Sequence, residues 1–257
     1  MVVRSVPASE AGSGWRSPPA VATIAGDEVH LWRLRLDQAG PVVARLRETL
    51  SDDERERADR AASAVAAGHF VVARGALRTV LASYLGVAPR QLAFAYGRRG
   101  KPALAGDGGL RFNVAHSHGL ALVAVARGRE LGVDLERVRP LPAAEAISRR
   151  FFSAGERAAL DALPIRRRLD AFLSLWTRKE AYLKATGGGL GWGRALAAVD
   201  LSGRLEGWTI RELAPARGFR SALVVEGGGW ELATWQWRPP EPAEGWPSGR
   251  TSDRLRE

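Results

Sequence analysis

Apolar and polar positions alternate through Val29-His30-Leu31-Trp32-Arg33-Leu34-Arg35-Leu36, and this period of two predicts a strand. Pro41 then sits where a first helical turn tolerates proline and opens a short helix to Leu50. Ser51-Asp52-Asp53-Glu54 is a capping box, with Ser51 as N-cap, and starts a helix through Arg55, Arg57 and Arg60. A longer helix, about 66–84, holds Phe70, Val71, Leu77, Val80 and Leu81, with Arg74 and Arg78 one turn apart; Gly86 ends it. Strands are predicted at 92–96, 110–114 and 120–126, the last two flanking the turn Ala115-His116-Ser117-His118-Gly119, and another at 131–136.

Pro140 and Pro142 mark a link, and a helix follows to Arg150. Ser153-Ala154-Gly155-Glu156 is a second capping box and opens a helix to about 163. After Pro164 a long helix, 167–186, runs into Gly187-Gly188-Gly189, where a left-handed cap is wanted. Strands return at 207–213, 219–225 and 230–237. Seven of the nine Trp lie at or beyond Trp176, which reads as a sheet face in the second half. The order of elements is roughly duplicated about Pro140, so an α+β fold of two similar halves is expected, at 26–139 and 140–238. Residues 1–25 and 239–257, rich in Pro, Ser, Gly and polar residues, are expected to be a disordered leader and tail.

The 257 residues, 46% hydrophobic and 26% charged, are ordinary for a globular protein. The absence of Cys excludes disulfides and thiolate metal sites and makes the cytoplasm the simplest compartment. No apolar run approaches the roughly 20 residues of a membrane span, and the N-terminus lacks a signal-peptide core. The net charge of +10 suits nucleic acid, anionic lipid, or an acidic or phosphorylated partner, and does not choose among them.

Two stretches carry candidate chemistry. In Trp176-Thr177-Arg178-Lys179-Glu180-Ala181-Tyr182-Leu183-Lys184, residues Trp176, Glu180 and Lys184 line one helix face, either as a surface ion pair beside a core Trp or as part of a site. In Leu131-Gly132-Val133-Asp134-Leu135-Glu136, the two carboxylates share one strand face. That face is either an exposed edge or one met by a cation, because bare carboxylates repel; Mg²⁺ or Mn²⁺ suits such hard oxygens. The basic loop Gly97-Arg98-Arg99-Gly100-Lys101-Pro102 is a solvated turn or an anion contact, and His116 a turn residue or a site residue. Together Asp134, Glu136, Glu180, Lys184, Lys101, His116 and Arg74 or Arg78 resemble a site for a Mg²⁺–polyphosphate.

Gly132-Val133-Asp134-Leu135-Glu136 followed by the Trp176–Lys184 stretch resembles the signature pair of the Sfp-type 4′-phosphopantetheinyl transferases. Gly100-Lys101-Pro102 and Phe112-Asn113-Val114-Ala115-His116-Ser117 resemble two further family stretches, in the family's order. The resemblance implies an α+β pair of halves related by a pseudo-twofold, with the active site in the cleft between them. It implies transfer of phosphopantetheine from coenzyme A to a serine of an apo acyl or peptidyl carrier protein. By position, Asp134, Glu136 and Glu180 match metal ligands, Glu180 also the general base, and Lys184 the lysine beside the phosphates. Lys101 and His116 match coenzyme A phosphate contacts, and Arg57 a contact to its 3′-phosphate. Ala115 replaces a family hydroxyl, leaving its backbone N–H, and His69 replaces a basic residue. An acidic carrier surface, a monomer, and no nucleic-acid or membrane partner complete the expectation. Three other readings predict different behaviour: a basic nucleic-acid-binding protein, a non-catalytic coenzyme A or carrier binder, and a polyphosphate hydrolase.

Overall fold

The computed structural model describes residues 14–19, 22–97, 101–106, 109–188, 196–197, 199–201 and 205–240. The first half runs β1 (Glu28–Arg35), α1 (Gly40–Glu48), α2 (Asp52–Asp59), α3 (Ala64–Leu85), the hairpin β2 (Phe94–Tyr96) and β3 (Pro102–Leu104), β4 (Leu110–Ser117) and β5 (Leu120–Arg127). The second runs β6 (Leu131–Arg137), α4 (Ala144–Phe151), α5 (Ala154–Asp161), α6 (Ile165–Thr186), β7 (Trp208–Leu213) and β8 (Phe219–Glu226); β9 (Glu231–Gln236) follows. The predicted mixture of helices and strands is therefore present.

Strand neighbours repeat between the halves, β4-β5-β1 in one and β7-β8-β6 in the other, all antiparallel. Residues 128–130 join β5 to β6. Pro140 and Pro142 lie in the link from β6 to α4. Strand β9 crosses back to pair parallel with β1. That crossing relocates the late tryptophans. Trp235 lies 6.2 Å from Trp32, ring to ring, and Trp237 is buried in the first-half core, so they do not form a second-half sheet face.

Part of the expected leader is ordered against this sheet. The Arg16 N–H donates to the Thr234 carbonyl at 3.1 Å, its carbonyl accepts from the Gln236 N–H at 2.8 Å, and Ala22 and Ile24 are buried. Residues 1–13, 20–21 and 241–257 lie outside the described residues. Helix α3 also departs from expectation, since its 22 residues are long and apolar enough to cross a membrane by length and composition. Half of that stretch is buried inside the protein, and Val72, Ala76 and Leu81 pack in the first-half core.

Alternation decides the layers. On β5, Ala121, Val123 and Val125 face the core under α1–α3, while Leu120, Leu122, Ala124 and Ala126 face a second core shared with Leu131, Val133 and Leu135 of β6. The two sheets thus share one apolar layer. On the opposite side of β6, Gly132 lies against α6 so closely that an added Cβ would stand 2.1 Å from the Ala181 carbonyl oxygen and 2.4 Å from the Ala185 nitrogen.

Each half also anchors its long helix through its capping box. Glu54 accepts from the Ser51 N–H at 3.1 Å and from Arg78 Nε at 2.6 Å. Glu156 accepts from the Ser153 N–H at 2.7 Å and stands 2.9 Å from Lys179 Nζ, both side chains being fully buried. The cap signal read in the sequence thus also supplies a buried counter-charge for the next helix.

Gly132→Ala should therefore destabilise the chain by at least about 2 kcal/mol, because both opposing atoms are backbone and cannot rotate away. Gly68→Ala, on α3 with nothing within 4 Å of the added methyl, should instead stabilise by about 0.5–1 kcal/mol. Urea unfolding of the two variants checks both; a wild-type midpoint for Gly132→Ala would contradict the packing described.

Candidate active site

The halves meet along β4 and β6. Asn113, buried between Phe112 and Val114 on β4, accepts the Val133 N–H at 2.9 Å through its side-chain oxygen. Ser117 Oγ donates to Glu136 Oε2 at 3.3 Å and accepts the Arg137 N–H at 3.3 Å. These bonds fix β6 beside β4, while the bare Cα of Gly132 lets α6 settle on its other face. Lys184, on the last turns of α6, then reaches β6: its Nζ is 2.7 Å from Asp134 Oδ1 and 3.1 Å from the Val133 carbonyl oxygen.

Three carboxylates and one ammonium are electrostatically coupled here. Burial raises the pKa of Asp134, against the pull of Lys184. Glu136 is raised by burial and then by Asp134. Glu180 is pushed up to about 7, first by burial and then by Asp134, with Lys184 opposing. His116, at the cleft edge of β4, is held below its ordinary value by loss of hydration, then by Lys184 and His69. Asp134 Oδ2 and Glu180 Oε1 are buried without a hydrogen-bond partner among the described residues. Trp176 stacks edge-to-face on Phe151, ring centroids 5.5 Å apart, and belongs to the core behind the site.

Other predicted site residues are placed differently. Arg78 spends four of its five N–H donors on Glu54, the Pro89 and Leu92 carbonyls and Ser51 Oγ, and is buried. Arg74 stands 2.7 Å from Glu54, bonds the Tyr96 hydroxyl and covers the Phe94 ring. Lys101 Nζ donates to Glu130 at 3.0 Å and to the Leu131 and Ala185 carbonyls at 3.4 Å, pinning β6 to the end of α6. The rest of its loop, 98–100, lies outside the described residues. Ala115 turns its methyl into the shared core. Arg57 is exposed over the Phe70 ring, and His69, one residue away, bonds Asp37 at 2.7 Å.

Residues 130–231, from just before β6 to the start of β9, match the family described as the 4′-phosphopantetheinyl transferase superfamily. The chain is 39% identical over 235 residues to the 4′-phosphopantetheinyl transferase HetI of Nostoc sp., across 87% of this chain and 98% of that one. This chain belongs to the 4′-phosphopantetheinyl transferase superfamily. It is also 38% identical over 166 residues to a putative 4′-phosphopantetheinyl transferase of Synechocystis sp., covering 63% of this chain and 66% of that one. A 4′-phosphopantetheinyl transferase of Bacillus subtilis is 30% identical over 146 residues, 57% of this chain and 64% of its own.

Among the described residues no three His, Asp or Glu side chains are gathered into a ready metal-ligand group. The donor set nevertheless fits a divalent cation by its chemistry. Asp134 meets Lys184, the charge of Asp134 acts on Glu136 and Glu180, and one buried oxygen each of Asp134 and Glu180 lacks a partner among the described residues; such oxygens are the donors that Mg²⁺ takes. Asn113, Ser117 and Gly132 position this set and were not singled out for it in the sequence. The available signals were an Asn between two apolar strand residues and a Gly interrupting a strand pattern.

Because the folded Glu180 carboxyl titrates near 7 and its ordinary value is 4.5, the folded chain retains a proton that the unfolded chain releases between them. Stability from this group therefore falls as pH rises through that window. Glu180→Gln should gain stability relative to wild type between about pH 5 and about pH 7.5, measured by urea unfolding in a chelating buffer. An identical difference at both pH values would show that the carboxyl is not raised.

Proposed function

We propose that the chain transfers the 4′-phosphopantetheine group of coenzyme A to a serine hydroxyl of an apo acyl or peptidyl carrier protein, releasing 3′,5′-ADP with Mg²⁺ or Mn²⁺ bound. The observation that carries the reading is the Glu180 carboxyl, raised to about 7 beside the Lys184–Asp134 pair at the meeting of the two halves. A serine hydroxyl is a weak nucleophile, and a carboxylate poised near neutrality is suited to take its proton as oxygen attacks the β-phosphate. The phosphorus–oxygen bond to the 3′,5′-ADP portion breaks, and Lys184 stabilises the charge that leaves on it. Asp134, Glu136 and Glu180 would hold the cation, which when bound polarises the phosphoryl oxygens and screens their charge.

Neutral His116 offers a ring N–H to a phosphate oxygen without adding charge beside Lys184. Arg57 remains exposed for the 3′-phosphate, with His69 near it. Arg78, with four of its five donors engaged inside the protein, is assigned to the fold, and Arg74 and Lys101 act by holding α3 and α6 in place. The buried carboxylates weigh against nucleic acid as the partner of this face, since unscreened acids repel a phosphate backbone.

Mass spectrometry of an apo carrier protein incubated with coenzyme A and Mg²⁺ should show one added phosphopantetheinyl group. Free pantetheine phosphate without carrier modification would instead mark a hydrolase. Glu180→Gln should lower transfer by ~10²–10⁴-fold while the chain stays folded. Arg57→Ala should weaken coenzyme A binding by calorimetry, whereas Arg78→Met should chiefly lower stability. Wild-type turnover in Glu180→Gln would remove Glu180 as the base.

A further inference from the structure

Beside the seam lies a second cleft of about 630 Å³, formed where the end of β1, the β4–β5 turn, the start of β8 and the segment after β9 meet. Leu120, Phe219 and Trp237 supply apolar lining. The cleft is cationic. Arg35 and Arg238 are exposed and have no carboxylate partner among the described residues. Strands β1 and β9 run parallel with Arg33 opposite Gln236, so Arg35 and Arg238 leave neighbouring strands at matching positions. Beneath them Arg33 is fixed, its Nε donating to Gln236 Oε1 at 2.8 Å and its guanidinium over the Trp15 ring. The one lining carboxylate, Asp37, is engaged by His69.

Short contacts join this cleft to the candidate active site. Ser117 Oγ lies 3.1 Å from Nδ1 of His118, a cleft residue, and 3.3 Å from Glu136 Oε2. Phe219 is the strand partner of Arg137, the residue after Glu136. His118 itself holds a left-handed φ of 44°, a conformation that non-glycine residues adopt at a cost of about 1–3 kcal/mol and that concentrates at binding sites.

We propose that this cleft is the docking surface for the carrier protein, which would present an acidic patch to Arg35 and Arg238 and an apolar side chain to the lining. The proposal rests on the transferase reading and adds the face at which its protein substrate arrives. Two exposed guanidinium groups without a carboxylate partner among the described residues, over an open apolar lining, suit acidic residues flanked by apolar ones. A small free anion would remain hydrated in so open a place. Docking here sets the carrier one strand residue from Glu136, so its serine approaches the carboxylates from the cleft end of the seam.

The test is the double variant Arg35→Glu/Arg238→Glu, assayed with apo acyl and apo peptidyl carrier proteins. Its kcat/KM for carrier should fall at least ~tenfold and lose its dependence on salt, while coenzyme A affinity by calorimetry and the melting midpoint stay unchanged. A carrier with lysines in place of its acidic patch should restore part of the loss. An unchanged kcat/KM in the double variant overturns the proposal. If the native chain modifies no carrier at all, the transferase reading fails. Docking is then read by binding of fluorescent apo carrier, and equal binding to native and variant chains overturns it.

Discussion

The approach of β6 to α6 at Gly132 is the contact on which the site depends. A strand and a helix normally keep their backbones apart by a layer of side chains. Here one glycine removes that layer, and helix backbone atoms occupy the space where a Cβ would be. Two consequences follow from the same closeness. Lys184 can reach both the carboxylate of Asp134 and the carbonyl beside it. Glu180, one turn earlier on the helix, comes under the influence of Asp134 and Glu136. The alternation of the strand does the rest, sending Val133 and Leu135 into the shared core and their neighbours toward the helix.

Charge is buried in this chain by two different rules. At Glu54 and Glu156 every carboxylate oxygen meets a donor, and the partner helix is locked in register. Breaking such a pair leaves an unmatched buried charge and costs about 3–5 kcal/mol. At Asp134, Glu136 and Glu180 the described residues supply one ammonium, Lys184, and leave two buried carboxylate oxygens without a partner among them. The first arrangement is what stability alone would select. The second raises a carboxyl to about 7 and is the arrangement expected where charge must arrive with a ligand.

The two halves are joined by more than the seam. Strand β9 returns to pair with β1, and the segment at 14–19 lies along β9. The ends of the described chain thereby meet at the first sheet, and the segment after β9 lines the cationic cleft next to the site. The candidate site lies where β4 and β6, each at the edge of its sheet, come together. Each half contributes the edge strand, β4 or β6, that the other half faces.

Much of this was legible in the sequence because it is local. Periodicity gave the helices and most strands within a few residues but missed the short β3, Ser51-Glu54 and Ser153-Glu156 marked the two cap positions, and Gly187 marked a helix end, confirmed at φ 69°. Period two put Asp134 and Glu136 on one face, and the helix repeat put Glu180 and Lys184 on another. Spacing along an element, however, says nothing of what meets it from elsewhere. Arg78 and Arg57 look alike as letters, yet the first is enclosed by Glu54 and two carbonyls while the second remains exposed. The return of β9 and the burial that moves Glu180 toward neutrality both arise from contacts between distant segments. Those were decided by packing, because desolvation and partner choice depend on which atoms surround a group and not on its place in the chain.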